Sequence, residues 1–172
     1  MILITQRLTL RPLTPGDDTR LHALMSDPKV MAFRDSAQIA DPATTAEILE
    51  RQLGDITAGA ALHWAMARSA DAAFMGVIDL SDIDAGRRRA EIGFMLAKPF
   101  WGLGYAREAS HAVISHAALT LRLKALSARA HLGNERSISL LEQLGFQREG
   151  VLRGSVERDG ARRDCLVFGL PL

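Results

Sequence analysis

The sequence predicts a mixed α/β fold, with an antiparallel meander in the middle of one sheet and helices on both sides of it. Three observations predict it. Apolar residues switch between a two-residue and a helical period several times along the chain. Three strand-like segments follow one another mid-chain with only turns between them. The helical segments carry start and stop residues at their ends.

Residues Ile2 to Leu13 alternate apolar and polar side chains and read as a first strand. Thr14-Pro15-Gly16-Asp17 reads as a helix start, with Thr14 as cap and Pro15 at the first helical position. Leu21, Leu24 and Met25 form that helix's stripe, and Asp27-Pro28 ends it. A second helix starts at Asp41-Pro42 and buries Ile48, Leu49, Leu53 and Ile56. Strands are expected at His63 to Arg68, Phe74 to Leu80 and Ala90 to Leu96, joined across Ala70-Asp71 and Asp84-Ala85-Gly86. Lys98 to Tyr105 is a loop, followed by a helix from Ala106 to Leu121 and a strand from Leu123 to His131. Asn134 caps the next helix, and Gly145 stands where a left-handed residue closes it. A last strand pair runs from Phe146 to Arg153 and from Ala161 to Leu170 across Asp159-Gly160.

Composition narrows the function classes. A length of 172 residues suits one domain spanning residues 1–172. A net charge of +1, from 21 basic and 20 acidic residues, gives no global drive toward nucleic acid or a membrane surface. The single cysteine, Cys165, excludes an internal disulfide and suits a reducing compartment. No signal peptide is visible in Met1 to Leu13, so the cytoplasm is expected.

The stretch Glu91 to Ala109 is the most informative. A strand enters a turn holding Gly102 and Gly104, and the turn enters a helix. Amide groups of a helix's first turn point outward, and the helix dipole favours negative charge there, so the stretch is an anion site. A tight turn without a ligand explains the same spacing. A dinucleotide fingerprint needs a third glycine where Arg107 stands, and a P-loop needs Gly-Lys-Ser/Thr, which is absent.

Gly102-Leu103-Gly104-Tyr105-Ala106 resembles the acetyl-CoA pyrophosphate loop of the GCN5-related N-acetyltransferases (GNAT). Phe100 to Ala109 is similar to the RimJ/RimL-like branch of that superfamily. So are Thr5 to Leu13, Asn134 to Ser137 with Leu141 to Phe146, and Gly160 to Leu170. The resemblance implies a mostly antiparallel sheet with a splayed parallel strand pair, in which the strand ending at Met95-Leu96 parts from its neighbour near Ser127 to His131. It implies cofactor contacts from the backbone of Phe94, Met95 and Leu96, from the N–H groups of Gly102, Leu103, Gly104, Tyr105 and Ala106, and from Asn134. Acetyl-CoA is the implied cosubstrate. The acceptor is a small-molecule amine or a protein N-terminus, and a homodimer is the analogy the branch offers. Trp101 replaces the superfamily's usual Gln or Arg. Leu141 stands where many members carry a tyrosine that protonates the leaving thiolate, so Ser137 is the remaining candidate acid, or simply part of the Asn134 cap.

Direct attack in a ternary complex needs a neutral amine, an oxyanion hole and a proton for sulfur. Glu91 is the candidate base, acting through a water, and Met95 N–H is the candidate oxyanion donor. Glu91 could instead pair with Arg87, Arg88 or Arg89. That arginine run reads as a solvated turn, or as a contact for an acidic peptide or a CoA phosphate. His131 is a weaker candidate. His111 and His116 read as packing or surface residues, and His22 and His63 show no partner. No His/Cys/Asp/Glu cluster has metal-ligand spacing, so no metal is expected. Met31, Phe33 and Trp64 either line the acceptor pocket or fill core. A non-catalytic acyl-CoA-binding module is the alternative from another functional class.

Overall fold

A computed structural model describes residues 1–172. Eight strands form one sheet in the order β1-β2-β3-β4-β5-β6-β8-β7. They are β1 (Leu3–Ile4), β2 (Leu8–Pro12), β3 (Leu62–Arg68), β4 (Phe74–Asp84), β5 (Arg89–Leu96), β6 (Ala125–His131), β7 (Gln147–Arg158) and β8 (Ala161–Pro171). The helices are α1 (Asp18–Met25), α2 (Pro42–Ala58), α3 (Tyr105–Leu119) and α4 (Glu135–Gln143). No helix is long and apolar enough to cross a membrane.

All neighbouring strands are antiparallel except β5 and β6. The alternation of side chains sorts β5 between two cores. Ile92 joins Leu8, Met66, Ile78, Leu126 and Phe168 under α3 and α4, which contribute Val113, Ala117, Ile138 and Leu141. Met95 joins Ala65 and Val77 under α1 and α2, which contribute Leu21, Leu24 and Leu49. Helices therefore cover both faces, as the sequence predicts.

Boundaries differ from expectation where side chains intervene. The first strand breaks at Thr5–Arg7, because Thr5 Oγ1 and Arg7 N–H both turn to the Glu108 carboxylate, at 2.6 and 2.8 Å. The first helix begins only at Asp18, after a 3-10 turn at Pro15–Asp17. There Asp17 is fully buried and accepts from both Arg11 Nη atoms at 2.6 and 2.7 Å and from Thr14 N–H at 2.9 Å. The third helix starts one residue earlier than expected and ends two residues sooner. Strand β7 runs on to Arg158, so the Asp159-Gly160 turn, with φ of 54° and 72°, closes a long terminal hairpin. Gly145 has φ 92° and ends α4 as predicted.

Candidate active site

The parallel pair holds for only three residues: Arg89 faces Ala125, Ala90 faces Leu126 and Glu91 faces Ser127. Beyond Glu91 the two strands part, while β5 stays laddered to β4 as far as Leu96 and β6 to β8 as far as His131. The gap therefore has two intact walls. Backbone direction alternates along a strand, and two bonds fix the phase: Arg88 C=O accepts from Lys124 N–H, and Ala97 N–H donates to Met75 C=O. Ile92, Phe94 and Leu96 thus turn their backbone groups to the gap, while Met95 turns to β4. The carbonyl of Met95 lies against Gly76, where a Cβ would collide with it. The Met95 N–H, expected as an oxyanion donor, therefore points away from the gap, whereas those of Phe94 and Leu96 point into it. Leu96 C=O is held by Trp101 Nε1 at 2.6 Å.

Both parallel strands end at the same edge, and each leads into a turn and a helix N-terminus. Open α/β sheets bind ligands at such edges. Gly102 and Gly104 have φ of 72° and 81°, so the loop needs glycine at both. The amides of Gly102, Leu103, Gly104, Tyr105, Ala106 and Arg107 donate to no backbone carbonyl. This leaves a row of free donors at the dipole-positive end of α3. The loop is braced from behind. Arg7 Nη1 donates to Leu103 C=O at 3.0 Å, its guanidinium stacks 4.4 Å from the Tyr105 ring centroid, and its Nε binds Glu108 at 2.7 Å. Desolvation opposes ionisation of Glu108, but bonds from Thr5 and Arg7 outweigh it and hold the carboxyl below its ordinary range. Cations gather nearby. Arg136 lies 4.6 Å above the Trp101 ring, and Lys29 lies close enough to Lys98 to lower its ammonium pKa.

At the second helix, Asn134 Nδ2 donates to Ser137 Oγ at 2.9 Å, and Asn134 Oδ1 accepts from Ser137 N–H at 3.4 Å. Ser137 is thus part of the cap, with its hydroxyl hydrogen still free to donate. Leu141 is buried core.

On the α1/α2 face, Glu91 pairs with Arg129 Nε at 2.9 Å rather than with the arginine run. Arg87 and Arg89 lie 3.7 and 3.9 Å from Asp84, and Arg88 binds Arg122 C=O, all at the end of β5 remote from the glycine loop. Arg129 also approaches Asp35 to 3.8 Å, and the Asp35 carboxylate accepts from His131 Nε2 at 2.8 Å. Asp35, His131 and Cys165 place ligand atoms within 4.8 Å of one another. They come from three separate segments, which is why no spacing announced them. Phe33, His131, Leu132, Arg162, Arg163 and Asp164 line an opening of about 440 Å³. Trp64 and Met31 are core.

Three other histidines have defined neighbours, while His111 is exposed. His22 Nδ1 lies 2.9 Å from Thr45 Oγ1. His116 packs at right angles on Trp64 with 5.8 Å between ring centroids, and burial lowers its pKa. His63 stands directly across from Asp79. Sequence reasoning passed over Asp79, because it sits in a strand without any motif.

Residues 7–147 match the model of the acetyltransferase (GNAT) domain. The uncharacterized N-acetyltransferase p20 of Bacillus licheniformis is 31% identical over 169 residues, 98% of this chain and 94% of that protein. The solved RimL ribosomal L7/L12 α-N-protein acetyltransferase in complex with coenzyme A superposes with a TM-score of 0.91 at 19% identity, over 100% of this chain and 98% of that one. Spermidine N-acetyltransferase from Vibrio cholerae, in complex with CoA and spermine, gives 0.87 at 22% identity, over 97% and 96%. With its glycine loop, its splayed parallel pair and a domain match across most of its length, the chain belongs to the GNAT acetyltransferase family.

Proposed function

We propose that the protein is a cytoplasmic N-acetyltransferase moving an acetyl group from acetyl-CoA to a primary amine. The observation that carries this reading is the row of unpaired amides from Gly102 to Arg107 at the edge of an open β5–β6 gap. The amides suit a pyrophosphate. The gap, with unladdered backbone at Phe94 and Leu96 on one wall and at Arg129 on the other, suits the pantetheine amides as an added strand would. Asn134 and the Arg136–Trp101 pair flank the route.

The amine arrives as an ammonium and gives one proton to a water held by the free carboxylate oxygen of Glu91. The neutral nitrogen attacks the thioester carbonyl carbon. Phe94 or Leu96 N–H stabilises the oxyanion. As the C–N bond forms, the C–S bond breaks, and the second nitrogen-bound proton leaves with sulfur as the thiol. Ser137 supplies the donor for that last transfer. No covalent enzyme intermediate is needed.

Free thiol release from acetyl-CoA with a panel of amines and peptides tests the reading. Turnover with any amine is expected. CoA binding without turnover on the whole panel would instead mark a non-catalytic binding module, and absence of CoA binding would overturn the site.

A further inference from the structure

We infer that Asp79 is the docking group for the acceptor's ammonium, a specificity-determining site that draws protonated primary amines over Gly93 to the edge of the gap. The inference rests on the acetyltransferase reading above.

Three strands set the geometry. In register, His63 on β3 faces Asp79 on β4, and Asp79 faces Gly93 on β5. The carboxylate leans across its neighbour: Oδ1 and Oδ2 lie 3.0 and 3.3 Å from where a Cβ on Gly93 would stand. Gly93 is therefore a clearance. It lets the carboxylate lie over the strand whose other edge opens on the gap, two residues from Glu91 and on the same face. Any larger residue would push it back.

The charges around Asp79 leave it without a contacting cation. Glu91 and Asp35 share Arg129, and His131 also binds Asp35. Asp79 forms no salt bridge. Its surroundings are His63, Asp82, Ser81 and, at longer range, Arg34, with Asp55 near His63. Burial chiefly pushes the Asp79 carboxyl above its ordinary range, and chiefly lowers His63, which is then neutral at pH 7 and adds no cation. Ser81 gives the carboxylate a hydrogen bond and Arg34 a distant charge, but no cation touches it, and a visiting ammonium supplies the missing charge-assisted bond. The same surroundings reject a second negative charge. An acceptor whose amine stands beside a free carboxylate would face Asp79, Glu91 and Asp82 together. The site thus takes alkyl amines or N-termini whose own carboxyl is an amide, and refuses free α-amino acids.

The test compares wild type with Asp79→Asn and Gly93→Ala on an alkyl diamine, a peptide amide, a free amino acid, and a weakly basic amine that is neutral at the assay pH. For the first two acceptors kcat/KM falls about 30-fold in Asp79→Asn, mostly through KM, as expected for one charge-assisted bond. The loss for the neutral amine is at least about fivefold smaller, because no ammonium is held. Gly93→Ala follows the same pattern with the charge still present. The acid limb of the wild-type kcat/KM profile lies above the ordinary carboxylate range and moves to lower pH in Asp79→Asn. CoA binding, followed by the shift in melting temperature, shows that each variant is folded. Equal losses on charged and neutral amines, an unchanged KM, or a free amino acid as the best acceptor would overturn the inference while leaving the acetyltransferase standing. No turnover by wild type on any amine would overturn both.

Discussion

The two ends of the gap are built from different materials. The side that meets the glycine loop is backbone: free amides from Gly102 to Arg107 and unladdered groups at Phe94 and Leu96. The α1/α2 side is side chain: Glu91, Arg129, Asp35, His131 and Asp79, gathered from four separate segments. Backbone donors serve any ligand with the same phosphate handle. On the proposed function, the side chains set which amine arrives. A family can therefore hold its donor half constant and change its acceptor half one residue at a time.

Substitutions that touch one half alone sharpen this contrast. The largest effect is expected from Gly104→Glu. It forces a non-glycine residue into a left-handed conformation, with its Cβ 3.4 Å from Arg7 Nη2, and brings a negative charge to the anion site. CoA affinity should fall by about 1000-fold while the protein stays folded, read by calorimetry and circular dichroism. Retained affinity would break the assignment of this loop to phosphate. Glu91→Gln should lower kcat by about 30-fold with CoA affinity unchanged, and Ser137→Ala by less, as expected for general acid–base help. A loss of CoA affinity in Glu91→Gln would show that the two halves are not separable. Arg7→Ala should weaken CoA binding by about tenfold with little effect on kcat at saturation, because Arg7 braces the loop from behind through Leu103, Tyr105 and Glu108.

The smallest functional effect is expected at Asp17, which lies outside both halves. Burial would raise its carboxyl, but bonds from Arg11 and Thr14 more than reverse this and bring it to about 2. Because the folded value lies below the ordinary one, the stabilisation is complete above pH about 5 and is lost as pH falls toward 2. Asp17→Asn should cost about 2 kcal/mol at pH 7 in urea unfolding, with the gap to wild type closing in acid. Acetyl transfer at saturation should be unchanged.

The same division explains what could be read in advance. Strands and helices were legible because apolar period and cap residues are local signals. The Gly102–Gly104 loop was legible because positive φ narrows the choice of residue. The break at Thr5–Arg7 was not, because its cause is Glu108, about a hundred positions away. The partner of Glu91 was misjudged for a similar reason. Three arginines lie near it in sequence, but strand pairing across the sheet brings Arg129 instead. The orientation of Met95 depended on ladder phase, which needs the partner strand. Asp79 was missed because its meaning comes from a glycine on the next strand.

The short β5–β6 pairing has a mechanical consequence. Only three residue pairs stitch the five-strand half of the sheet to the three-strand half. The fold thus carries a seam through its centre, closed at one end and open at the other. One core under α3 and α4 still spans both halves, and a molecule lodged in the seam would act as a missing rung, adding the backbone bonds that the two strands leave unmade.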